Sequence, residues 1–69
     1  MISEIIFLVE EDPEGGFTAH ALGYPIFTEA NSWDGLKEAA QDAVRCHFAD
    51  GERPAMVRLH VVHEEVVAV

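Results

Sequence analysis

Half of this chain, the run from Glu10 to Val44, strings together an acidic turn, two strand-like runs, a helix cap and an amphipathic helix with almost no linker between them. That crowding leaves few folds open. Pro13-Glu14-Gly15-Gly16 is a turn, because proline presets φ for its first corner and the two glycines accept positive φ. Phe17 to Leu22 alternates as a half-buried strand does, with Phe17, Ala19 and Ala21 on one face and Thr18, His20 and Leu22 on the other. Gly23-Tyr24-Pro25 breaks the run, and a short third strand is predicted at about 26–30. Asn31 or Ser32 then caps a helix predicted over about 33–48. Leu36, Ala39, Ala40, Ala43, Val44, His47 and Phe48 fall on one helical stripe, opposite Lys37, Glu38, Gln41, Asp42 and Arg45. Gly35 weakens the first turn by about 1 kcal/mol relative to alanine. It also takes the place of a capping-box Glu if Ser32 is the cap. Asp50-Gly51 and Pro54 end the helix.

The flanks complete the pattern. Residues 2–10 read as a first strand, and Ile5 to Val9 is apolar on both faces, as suits a central strand or one covered by a partner subunit. Residues 56–63 read as a fourth strand with Val57, Leu59 and Val61 facing one way. Val66 to Val69 forms either a fifth strand turning back after His63-Glu64-Glu65 or a tail that pairs with another chain. The expected architecture is α+β, in the order ββ(β)αβ(β). It is a single domain over 1–69, an antiparallel sheet of four or five strands with one helix packed on one face. One helix cannot cover both faces, so the other is a candidate association surface.

Size reinforces that expectation. A chain of 69 residues has a marginal core when it stands alone, and Cys46, its only cysteine, cannot form an intrachain disulfide. No zinc-binding spacing is present, so oligomerisation, as a dimer or tetramer, is the remaining common source of stability. Thirteen acids against four bases give a net charge of −9. Such a field repels phosphate backbones and attracts basic partners, so no nucleic-acid binding is expected. Arg45, Arg53 and Arg58 are too diluted by acids to form a nucleic-acid patch. Ile5 to Val9 is too short for a signal-peptide core, and no run approaches the length of a membrane span. A lone cysteine suits a reducing compartment, and a cytoplasmic location is expected.

Candidate chemistry is sparse. Glu10, Glu11, Asp12 and Glu14 crowd around a proline turn instead of alternating as metal-loop ligands do, which suits a solvated turn or a partner contact. His60 and His63 lie on opposite faces of a strand. Cys46 and His47 have no ligand spacing behind them; Cys46 reads as small and semi-buried, and His47 as bordering the core. Ser32 is better spent as a helix cap than as a nucleophile, and neither a nucleophile elbow nor a phosphate loop occurs. No catalytic residue, metal site or cofactor is therefore assigned. Tyr24 and Trp33 flank the third strand; they suit an aromatic anchor for a partner, though core or rim packing is the expected role of Trp33.

Gly15-Gly16, Pro25, Thr28 and Ser32, in this order and setting, resemble the N-terminal domain of HicB-type antitoxins and the short proteins grouped with them, over roughly residues 5–48. The resemblance implies a truncated ribonuclease H-like fold without catalytic carboxylates. It also implies a non-enzymatic domain of a toxin–antitoxin system, one that binds and inhibits a small basic RNase toxin. The acidic charge agrees, since it mimics that of RNA and speeds encounter with a basic protein. The partner surface would be Glu10, Glu11, Asp12 and Glu14 together with an edge bearing Tyr24, Phe27 and Glu29. Two departures stand out. The family's glycine-rich link appears here as Tyr24-Pro25-Ile26-Phe27-Thr28-Glu29-Ala30, and the sequence reaches Val69 without a helix–turn–helix or ribbon–helix–helix pattern, so no DNA-binding autoregulation is expected. The alternative reading is an orphan structural or small-ligand-binding homo-oligomer with no toxin partner.

Overall fold

Alternation of apolar residues decides which strand lies deepest. In the computed structural model, which describes residues 3–69, β1 (Glu4–Glu11) is central and directs Ile5, Phe7 and Val9 inward, none more than 2% exposed. Its other face carries the half-buried Ile6 and Leu8. A hairpin leads to β2 (Phe17–Ala21), antiparallel to β1, with Val9 opposite Ala19 and Phe7 opposite Ala21. A second hairpin leads to β3 (Phe27–Ala30), antiparallel to β2, with Ala19 opposite Thr28 and His20 opposite Phe27. Helix α1 (Trp33–His47) follows, then β4 (Met56–Val62). The sheet order is β3-β2-β1-β4.

The sheet is mixed, which corrects the antiparallel expectation: β4 pairs parallel to β1, with Ile5 opposite Val57 and Phe7 opposite Leu59. Counting chain reversals explains it. Each hairpin reverses direction, so β1 and β3, the two edges of the three-stranded meander, point the same way. The helix reverses the chain once more and β4 reverses it again. On either free edge β4 could only be parallel, and joining strands in parallel needs such a crossover. No fifth strand occurs among the described residues, where 63–69 carry no regular structure.

The helix lies on the inner face of the sheet, approaching β3 and β2 most closely. Leu36, Ala40 and Val44 form its buried stripe and close the core with Ile5, Phe7, Val9, Ala19, Ala21 and Ile26. Ala39 and Ala43 are half-buried beside that stripe, and the small side chains let helix and sheet approach. Ser32 is the N-cap, its Oγ accepting from the Gly35 amide at 3.0 Å. Gly35 suits this place: a Cβ there would stand 3.0 Å from Ser32 Oγ and 3.4 Å from Ala30 Cβ. The helix ends at His47, one residue short of the predicted end, with Phe48 as the C-cap, its amide donating to the Val44 carbonyl at 3.1 Å.

Candidate functional site

The β1–β2 turn is built by its own backbone. The Asp12 amide donates to the Gly16 carbonyl at 3.0 Å, the Gly15 amide to the Asp12 carbonyl at 2.9 Å, and the Glu14 amide to Asp12 Oδ1 at 2.9 Å. Gly16 sits at φ +87°, where a Cβ would fall 2.7 Å from the Ala30 carbonyl oxygen, so only glycine lets the turn approach the end of β3. Glu10, Glu11, Asp12 and Glu14 are all exposed there. Glu29 faces Thr18 across the β2–β3 ladder and shares a shallow hollow with Asp12.

The parallel pairing of β4 adds two residues that sequence reading left out. Strands β1 and β4 finish side by side, so His63 and Glu64 line an open hollow with Glu10, Glu11 and Asp12. His63 Nδ1 stands 3.7 Å from Glu11 Oε2. Counting chain reversals from sequence gives the direction of β4, but its place beside β1, which brings these two residues to the turn, is set by the fold.

Tyr24 and Phe27 do not join this group. They lie at the opposite end of the β2–β3 hairpin. Tyr24 packs edge-on against Phe48 at 5.2 Å and His47 at 6.0 Å, closing the far end of the helix. Phe27 is 64% exposed at the start of β3. The proposed partner surface therefore divides into an acidic end and an aromatic end. Trp33 packs at the rim, edge-on to Phe17 at 5.6 Å, near the acidic end and away from Tyr24.

Charge separates along the same axis. All four Lys and Arg side chains lie against acids outside the turn: Lys37 on Asp34 in the first turn of α1, Arg45 on Asp42, Arg53 on Asp50 and Arg58 on Glu4, at 2.8–3.1 Å. Hydrogen bonding to Glu4, with its negative charge, raises the Arg58 guanidinium above its ordinary value. Removing those four acids from the thirteen leaves nine without a Lys or Arg partner, which carry the whole −9 charge. Glu10, Glu11, Asp12, Glu14, Glu29 and Glu64 belong to the acidic end.

The remaining candidates scatter. His20, Leu8 and His60 stand in register across the outer face of the sheet. Cys46 and His47 are both exposed, which corrects the expectation of a semi-buried cysteine and a core-bordering histidine: the inward stripe passes from Val44 to Phe48, and both residues lie to the side of it. Among the described residues no three of His, Cys, Asp and Glu converge as a metal site, and no helix is long and apolar enough to cross a membrane.

Comparison with known proteins gives this arrangement a family. No protein-family model and no solved structure matches the chain. It is 56% identical over 55 residues to a UPF0150 protein of Archaeoglobus fulgidus, covering 80% of this chain and 82% of that protein. It is 38% identical over 66 residues to a UPF0150 protein of Thermotoga maritima, covering 96% and 93%. With identity at that level over most of both chains, the protein belongs to the UPF0150 family.

Proposed function

We propose that the chain is a non-enzymatic, cytoplasmic protein-binding domain of the HicB antitoxin kind, with a truncated ribonuclease H-like fold, and that its acidic end engages a small basic RNase toxin. The observation that carries this reading is the gathering of unbalanced charge: every Lys and Arg is tied to another acid, and six carboxylates with no Lys or Arg partner gather at one end. Unbalanced charge at one end steers encounter with an oppositely charged partner and fixes its orientation. The hollow between the β1 and β4 ends and the shallower one beside Glu29 are open to solvent and suit the basic side chains of a protein surface. Phe17 and Trp33 supply an apolar border.

The test is capture from native cells at low ionic strength, followed by mass spectrometry and reconstitution. A small basic ribonuclease should be retained, released by salt and inhibited by the purified chain. Glu11→Lys with Glu14→Lys should then slow association and flatten its dependence on salt, because rim charges act mainly through the on-rate. An unchanged rate and salt slope in the double variant, or no basic protein among those captured, would sink the reading.

A further inference from the structure

We propose that residues 63–69 form a strand that pairs antiparallel with β4 of a second copy, about a two-fold axis at His63, making one continuous sheet across two chains. This rests on the sheet edge and does not depend on the antitoxin reading.

Strand β4 is a seven-residue free edge with no proline. Free edges of that length are normally blunted, because their unpaired amides and carbonyls recruit other strands. Its one Lys or Arg, Arg58, is engaged by Glu4. The inner side of β4 is also poorly covered, since α1 lies toward β3 and β2. Val57 and Leu59 are only half-buried and Val61 is 42% exposed.

The same chain holds the complementary piece. Residues 63–69 run on from β4 with no backbone partner among the described residues, and Val66 and Val67 are 99% and 72% exposed. β-Branched residues suit a strand, and a run of them is costly to leave in water. Strand alternation carried past Val62 puts Glu65, Val67 and Val69 on the inner side with Val57, Leu59 and Val61. A two-fold axis at His63 then sets Leu59 opposite Val67 of the second copy and Val57 opposite its Val69, with inner residue against inner residue at each pair. Val69 of the second copy would meet the hollow between α1 and β4, where Val44, Pro54 and Val57 line the wall together with Gln41 and Arg45.

These matches select a second copy as the occupant. One two-fold operation covers the free edge and the exposed valines of both chains at once, as a self-complementary interface must. Charge points the same way, because β4 and residues 66–69 carry no acid, while most of the rest of the surface repels its own copy. The repulsion that remains, from Glu11, Glu64 and Glu65 near the axis, gives the dimer a signature: it tightens as salt is added, whereas binding to a basic partner weakens.

Sedimentation and light scattering on the full chain across micromolar concentrations should show a dimer that tightens with salt. Val67→Asp, at an exposed position, should weaken it by about tenfold or more and leave the circular dichroism of the diluted chain unchanged. Leu22→Asp, on the outer face, should leave dimerisation intact. In a Cys46→Ser background, oxidation should join two chains through His63→Cys but not through Leu22→Cys. A wild-type monomer throughout, a dimer indifferent to Val67→Asp, a dimer loosened by salt, or cross-linking through Leu22→Cys would each overturn the proposal.

Discussion

The two edges of this sheet are finished in opposite ways. At β3 the strand is four residues long, α1 packs closest on that side, and the acidic turn closes against the Ala30 carbonyl through Gly16. At β4 the strand is seven residues long, its inner side chains are half-covered, and α1 lies away from it, toward β3 and β2. A single helix of fifteen residues explains the asymmetry. It starts directly after β3 from a cap at Ser32, so it is anchored over that strand. Covering β4 as well would need a second helix or a longer crossing path. The lesson is that in so small a chain the connection, more than composition, decides which apolar surface is left bare.

That contrast can be broken by substitution, and the largest effect should come from beneath the helix. Leu36→Ala, fully buried between α1 and the sheet, should cost about 3 kcal/mol in urea denaturation. Leu59→Ala on β4 should cost about half as much in the diluted chain, and more as concentration rises if a second copy covers that edge. Equal costs at all concentrations would erase the distinction between the edges.

Gly16→Ala should cost about 2 kcal/mol, since alanine at φ +87° is strained and its Cβ would collide with the Ala30 carbonyl. A neutral result would show that the turn can withdraw from β3 freely. Ser32→Ala should cost about 1 kcal/mol by releasing the Gly35 amide, measured as a lowered urea midpoint with an unchanged slope. The smallest effect belongs to the acidic end. Glu11→Lys with Glu14→Lys should move stability by less than about 0.5 kcal/mol, because both side chains are exposed. A larger loss would mean that the carboxylates hold the hairpin and are not free for a partner.

Most of the elements were legible along the chain because their causes are local. Strand alternation in Phe17 to Ala21, the 3.6-residue stripe through Leu36, Ala40 and Val44, and the Ser32 cap depend on neighbours a few positions away. The −9 charge was likewise plain in the residues themselves. Where that charge collects was not, because it depends on which acids find a base, and Arg58 finds Glu4 only across the β1–β4 ladder. The same ladder, parallel where antiparallel was expected, carries His63 and Glu64 to the acidic turn. The two-residue strand period says which face a side chain takes and nothing about which strand lies beside it. Tyr24 and Phe27 were separated from the acids in the same way, since direction along the β2–β3 hairpin is a property of the pairing. Periodicity and charge were thus determined by the sequence, and neighbourhood was decided by the tertiary fold, because contacts between distant residues are set by chain reversals that no single segment encodes.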